Sequence, residues 1–367
     1  MTAVVVLCAL GYLAYWLLDG RYYESTDDAY VNGDVVQITG EIPGTVIALN
    51  VDDTQPVRAG QFLLELDPAD AKIAVADAEA DLARAVRQVR GLFAQSKELR
   101  AQIDQREQAE RTADDDLKRR GGLLADGAIS AEELSHARDA VTTTRANVAA
   151  ARQQFSQTVA QIDGTTIADH PQVLAAAAAV RNAALALHRT RLMSPVSGMI
   201  AKRSVQVGQR VSAGTPLLAV VPLDDVWIDA NFKEGQLEHM RTGQAVSVHT
   251  DVYGRDVTYH GHVVGIAAGS GNAFALLPAQ NASGNWIKIV QRVPVRISLE
   301  PSELQKHPLR VGLSVDVNVD VSDQSGSAMG STEPSRTMRA DINDAGNRLA
   351  DRLIARILVQ NSSASAP

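Results

Sequence analysis

One segment of this chain occurs twice, with the two copies 154 residues apart. Residues 42–67 read IPGTVIALNVDDTQPVRAGQFLLELD and residues 196–221 read VSGMIAKRSVQVGQRVSAGTPLLAVV. They align without a gap, and eight of the 26 positions are identical, including Gly44/Gly198, Gln55/Gln209 and Gly60/Gly214. Each copy consists of short alternating apolar runs broken by glycine turns, which is the pattern of strands. Neither is large enough to hide its own apolar face, so the two are expected to pack together as one small β-sandwich. Gly60 and Gly214 each follow an alanine at a turn, where glycine most easily supplies a positive φ.

About 120 residues stand between the copies, and they read as two long antiparallel helices. Asp67-Pro68 is a good helix start, an Asp cap followed by Pro at the first helical position. A heptad then runs through Val75, Leu82, Val89, Ser96, Ile103, Glu110 and Leu117, with a companion seam at Ala78, Ala85, Leu92, Leu99, Arg106, Ala113 and Arg120. Gly121 and Gly122 are expected to stop the helix. The return arm repeats the period at Leu134, Val141, Val148, Phe155 and Ile162, paired with Ala137, Thr144, Ala151 and Thr158. It breaks at Asp163-Gly164 and resumes after Pro171 with Val173, Val180 and Leu187. Sustained heptads of this kind specify a coiled coil. The outgoing arm has about 53 residues and the return pieces about 51. Both therefore reach about 75–80 Å at the helical rise per residue. A seam rich in Ala and Ser packs closely but weakly, so neighbouring copies of the chain are expected to brace it in a homo-oligomer.

Composition supports thin helices rather than one thick core, since aromatics are only 4% of the chain. The net charge of -8 argues against nucleic acid, which calls for a basic stripe. Cys8 is the one cysteine, so no disulfide, zinc site or thiol chemistry can be built from cysteine. It lies in the apolar run Thr2–Leu18, whose 17 residues reach about 25 Å, the short end of a bilayer span. Tyr12, Tyr15 and Trp16 cluster toward one end of the run, as interfacial aromatics do. No A-x-A cleavage site follows, and Asp19-Gly20-Arg21 is a poor one, so a membrane anchor is expected rather than a cleaved signal.

The doubled β segment resembles a lipoyl/biotinyl-type domain split by an insertion. In carrier domains of that type the tip between the halves holds a modified lysine. Here the insertion replaces that tip and leaves Lys72 just inside a helix, which speaks against a carrier. A single apolar anchor, a split lipoyl-like domain and a helical hairpin between its halves together resemble the HlyD/EmrA family of membrane fusion proteins. Local sequence is similar too. Thr26-Asp27-Asp28-Ala29-Tyr30-Val31 looks like the family's entry strand. LLPAQNASGNWIKIVQRVPVRI (276–297), DANFKE (229–234) and TDVYG (250–254) are similar to the EmrA branch.

The resemblance implies a periplasmic adaptor for multidrug efflux, not an enzyme, held in the bacterial inner membrane by a single pass with its bulk in the periplasm. Its implied partners are an EmrB-like major facilitator transporter and a TolC-like outer-membrane channel, and no cofactor is implied. An adaptor for type I protein secretion with an ABC transporter shares the architecture; the 276–297 stretch favours efflux.

Arg119, Leu123 and Ser130 match the R-x3-L-x6-S pattern at the hairpin tip of many adaptors that dock on a TolC-like channel. Ser130 has a second reading: with Glu133 it forms an S-x-x-E capping box. Arg119 also reads as a solvated helix residue, and Leu123 as local packing at the turn.

Beyond the second copy, VWIDANF, AVSVHTDVY, HVVGIA, WIKIV, VPVRISL and VDVNVDV are six short strands expected to form a small β-barrel. The loop 269–285 is long enough to serve as a contact surface. The tail places Leu349, Leu353, Ile354, Ile357 and Leu358 at helical spacing. His260 and His262 share a strand face, but no third metal ligand of matching spacing stands out. Asp114-Asp115-Asp116 reads as a solvated charged face.

The expected fold is α+β and multidomain. It comprises a transmembrane anchor (1–18), a linker and entry strand (19–40), two lipoyl-like halves (41–67 and 191–222) and the coiled-coil hairpin between them (68–190, tip 119–130). A β-barrel (223–321) and a flexible tail with a short amphipathic helix (322–367) complete it.

Overall fold

The computed structural model describes residues 22–125, 128–274, 290–328 and 344–362. The Thr2–Leu18 run lies outside these residues, and among them no helix is long and apolar enough to cross a membrane. The chain divides into two units, cut after Leu64 and after Arg191, with the C-terminal helix in the second unit.

Strands β1 (Tyr23–Gly33), β2 (Val36–Thr39), β3 (Gly44–Leu49), β4 (Pro56–Val57) and β5 (Phe62–Leu66) come first. Helices α1 (Ala69–Ala125), α2 (Ala131–Ile162) and α3 (Pro171–His188) follow. After them come β6 (Arg191–Met193), β7 (Gly198–Arg203), β8 (Arg210–Val211) and β9 (Pro216–Val221). The chain continues with β10 (Val226–Lys233), β11 (Ala245–Thr250), β12 (Gly254–Ile266), β13 (Arg292–Leu299), α4 (Pro301–Lys306), β14 (Ser314–Asp320) and α5 (Asp344–Ser362).

The repeat folds as two four-stranded sheets, β2-β9-β7-β4 and β6-β5-β3-β8. At the repeat offset β3 maps onto β7, β4 onto β8 and β5 onto β9. Each sheet therefore mixes strands of both copies, as two halves too small to stand alone require. Leu63, Leu64, Ile200, Leu217 and Leu218 are buried. Backbone hydrogen bonds repeat as well: the Val46 N–H donates to the Gln209 carbonyl (2.9 Å) and the Ile200 N–H to the Gln55 carbonyl (3.0 Å). Gly60 and Gly214 do adopt positive φ, +76° and +80°.

The symmetry exposes one misfit. Thr54 has φ +67°, the only positive value at a non-glycine among the described residues, and its repeat counterpart is Gly208 at +89°. Both donate equivalent backbone hydrogen bonds, Thr54 to the Ile200 carbonyl (2.9 Å) and Gly208 to the Val46 carbonyl (2.8 Å). The left-handed region is costly for a β-branched residue. Thr54→Gly should raise stability by about 1 kcal/mol after the entropy that glycine loses on folding. Urea midpoints at constant slope measure it, and a drop in the midpoint would show that Thr54 carries no strain.

The remaining strands form a closed six-stranded barrel, β1-β10-β13-β12-β11-β14. Five of the six strands expected from sequence lie in it. WIKIV, apart from Val290, lies outside the described residues, and the sixth barrel strand is β1, from the stretch taken as linker and entry strand. β1 pairs with β10 on one side and with β14 on the other. A register shift between Thr26 and Ala29 interrupts its alternation, and its inward residues are small: Thr26, Ala29 and Gly33 beside Val31. Ile228, Phe232, Tyr259, Val295, Ile297 and Val317 fill the interior. Burial pushes the Tyr259 phenol up to about 12, so it stays a donor, here to the His307 carbonyl at 2.9 Å. The 269–285 loop lies outside the described residues from residue 275 onward.

In the helical unit, the Ala69 N–H donates to Asp67 Oδ1 (3.0 Å) and the Lys72 N–H to the Pro68 carbonyl (2.9 Å), so Asp67 caps and Pro68 opens α1. Val75, Leu82, Ala85, Val89, Leu99 and Ile103 are buried along α1, and Leu134, Ala137, Val141, Val148, Ala151, Thr158 and Ile162 along α2. The heptad seams thus hold as read over these positions. The expected stop at Gly121-Gly122 does not occur, because α1 continues through both to Ala125. Two exposed glycines cost about 1 kcal/mol each in a helix but do not break it as proline would. His170 caps α3: its Nδ1 accepts from the Gln172 N–H (3.2 Å) while Nε2 faces the Gln161 carbonyl (3.0 Å).

α5 docks on α1 and α3. Ile357, with Leu353, Ile354 and Leu358 beside it, packs among Leu82, Val86, Val173, Ala177 and Val180. Arg181–Asp351 (2.8 Å) and Arg356–Glu79 (2.9 Å) flank the contact. Val86 and Phe93 fall outside the heptad seam, and both belong to this cluster.

Candidate functional site

Beyond Ile103 the α1 seam turns more polar, with Arg106 and Glu110 where apolar residues would continue it. Ion pairs between the helices take over. Arg152 reaches Glu107 (2.6 Å), and Arg145 reaches both Glu110 (3.2 Å) and Asp114 (3.4 Å). Arg106 adds a hydrogen bond to the Asn147 carbonyl (3.1 Å). The Arg152 hydrogen bond holds the Glu107 carboxyl below the usual range, and Glu107 in turn raises Arg152. Partly exposed pairs are individually weak, so this stretch is held more loosely than the root.

The last turns of α1 carry three acids followed by three bases, Asp114-Asp115-Asp116 and Lys118-Arg119-Arg120. Lys118 bonds Asp114 (2.7 Å), Arg119 bonds Asp116 (3.2 Å) and Arg120 bonds Asp116 (2.7 Å). The Lys118 hydrogen bond lowers the Asp114 pKa, and Asp114 raises that of Lys118. The three aspartates are thus more than a solvated face, because each has a cation at helical i,i+3 or i,i+4 spacing. That spacing is legible in the sequence.

Arg119 keeps 72% of its side chain exposed despite its pair, and Leu123 is 44% exposed. Four apart on one helix, they share a face. The Leu123 carbonyl accepts from the Ala128 N–H (2.9 Å) at the turn. Ser130 opens α2 with a full capping box. Its hydroxyl oxygen accepts from the Glu133 N–H (3.2 Å), and its own N–H donates to Glu133 Oε2 (2.8 Å). The bond from the Ser130 backbone N–H, then that from its hydroxyl, holds the Glu133 carboxyl below its usual pKa.

The two strand histidines have separate partners. His260 Nδ1 lies 2.8 Å from Glu303 Oε1, and the His262 ring lies 3.0 Å from the Ser298 hydroxyl. Among the described residues, no group of three or more His, Cys, Asp or Glu is placed to hold a metal ion.

Residues 69–190 match the family model of the EmrA alpha-helical hairpin domain, and residues 225–320 that of the AAEA-like beta-barrel domain. The multidrug export protein EmrA of Escherichia coli K12 is 48% identical over 315 residues, covering 86% of this chain and 81% of the relative. The protein of the same description from Haemophilus influenzae is 41% identical over 358 residues, 97% of this chain and 91% of that one. The fatty acid resistance protein FarA of Neisseria gonorrhoeae is 49% identical over 298 residues, 81% and 76% of the two chains. With relatives at this identity running through nearly its full length, the chain belongs to the EmrA family of membrane fusion proteins.

Proposed function

We propose that this chain is the periplasmic adaptor of a multidrug efflux pump, joining an EmrB-like major facilitator transporter in the inner membrane to a TolC-like outer-membrane channel. Thr2–Leu18 anchors it as a single pass, and the two sheets of the repeat are the split lipoyl-like module. Copies of the chain associate, bracing one another along the thin hairpin. The cargo is a set of toxic amphipathic compounds. The observation that carries this reading is the hairpin. A helix of 57 residues and a return of 32 and 18 residues end at a capped turn with Arg119 and Leu123 exposed beside it. Relatives described as multidrug export proteins share the sequence.

In this reading Arg119 and Leu123 contact the channel, and Ser130 both caps α2 and contacts it. Cysteine at position 119 or 123, with Cys8 replaced, should crosslink to the outer-membrane channel in intact cells. Crosslinks absent at both, and arising from the β-barrel instead, would reverse the proposed orientation. The roles of Ser130 separate because Asn caps about as well as Ser, whereas Ala loses about 1 kcal/mol. Drug resistance at equal protein level should fall for both Ser130→Asn and Ser130→Ala. Wild-type resistance in Ser130→Asn would leave Ser130 as a cap alone.

A further inference from the structure

Arg296 on β13 and Asp229 on β10 stand directly opposite one another, the usual setting for a cross-strand ion pair. They do not form one. The Trp227 Nε1–H (3.1 Å) and the Asn32 Nδ2–H (2.7 Å) take the two Asp229 oxygens. The Arg296 guanidinium lies instead over the Trp227 ring, its Cζ 3.8 Å from the centroid. Among the described residues it has no hydrogen-bond or ion-pair partner. A guanidinium held on an indole face is oriented, yet its N–H edge stays available, and that edge matches a carboxylate in a fork.

Trp227 and Arg296 also line a cleft of about 390 Å3 in the barrel unit, with Val264, Leu299 and Leu304 supplying apolar wall. That size falls within the usual range of small-ligand sites, about 300–1,000 Å3. Asp224 and Asp225 line it too. Because Trp227 pairs with Ser298 in antiparallel register, these acids lie beyond the Leu299 end and Arg296 lies at the other. The cleft is therefore polarised, with a cation fork at one end, carboxylates at the other and aliphatic side chains between.

We propose that this cleft binds a monoanionic amphipath, with its carboxylate on the Arg296 edge and its apolar body along Val264, Leu299 and Leu304. The acids at the far end reject a second negative charge. The site does not depend on the hairpin or on the identity of the channel.

The test uses the full chain in nanodiscs of zwitterionic lipid, with Trp16 and Trp286 replaced by Phe so that Trp227 alone fluoresces. Empty nanodiscs supply the background. Decanoate should change the emission saturably, and decanol and decanedioate should bind at least about tenfold more weakly. Arg296→Gln should lose at least about tenfold in affinity for decanoate, with Arg296→Lys in between, because lysine keeps the charge but not the fork. Circular dichroism checks that both variants are folded. A non-saturating response, equal affinity for decanol, or undiminished affinity in Arg296→Gln overturns the proposal.

Discussion

Excising residues 72–186 and ending the chain at residue 328 should leave a folded β protein that confers no drug resistance. The expectation rests on the strand mixing in the repeat. Both sheets draw strands from before and after the excised segment, and every β5 and β6 residue survives the cut. The C-terminal cut is required because α5 buries Ile357 against Val86, Val173 and Val180. Without α1 and α3 its apolar stripe would be left in water and invite association. Circular dichroism should report β structure with a cooperative melt, and resistance should match cells carrying empty vector. A uniformly unfolded product would mean that the sheets need the helices to form. Resistance at the wild-type level would mean that the hairpin is not what reaches the channel.

The second large effect comes from one atom. Gly198 opens β7, and a Cβ there would collide with the Val221 carbonyl oxygen and lie 2.7 Å from its carbon and 2.9 Å from the Pro222 nitrogen. These are backbone atoms of the neighbouring strand and cannot rotate away. Gly198→Ala should therefore cost about 3 kcal/mol or more, at the upper end of overpacking. Gly121→Ala provides the contrast, because a Cβ at Gly121 meets nothing within 4 Å and the residue is helical. That change should stabilise the helix by about 1 kcal/mol. The same substitution thus has opposite signs at two positions, read as urea midpoints of the two variants. If Gly198→Ala matches wild type, the strands are less closely apposed than described.

What was legible in the sequence was whatever has a period. The repeat gave away the sheets because equivalent positions must do equivalent work, down to the positive φ at Gly60 and Gly214. The heptads gave away the hairpin seam because 3.5-residue spacing has few other uses. β1 was harder to read as a barrel strand: its register shift falls on Asp27-Asp28 and removes the alternation that marks a strand. In the distal hairpin the return arm's seam was legible but the ion pairs across the helices were not. Arg145 and Arg152 bind carboxylates more than thirty residues away in sequence, and no local window contains both partners. The docking place of α5 was equally hidden, since an amphipathic stripe declares that it will be covered but not by what. At the tip, the capping role of Ser130 was readable because a capping box is local. The Arg296–Trp227 stack depends on which of two cross-strand partners an Asp chooses, and only coordinates show that.

The closed barrel has a consequence for how the chain is made. Its first strand pairs Tyr23 with Asp320 and Ala29 with Ala230, so partners emerge from synthesis some two to three hundred residues apart. Closing so long a loop carries an entropic cost, and topologies with distant pairings form slowly. The helices between them zip up from local contacts much sooner. With α1 and the return arm paired, the Leu66 N–H meets the Thr190 carbonyl at 2.7 Å. A tether of more than a hundred residues then behaves as a short one. The insertion that splits the repeat is in this sense placed to act as an assembly jig, and the barrel is expected to close last.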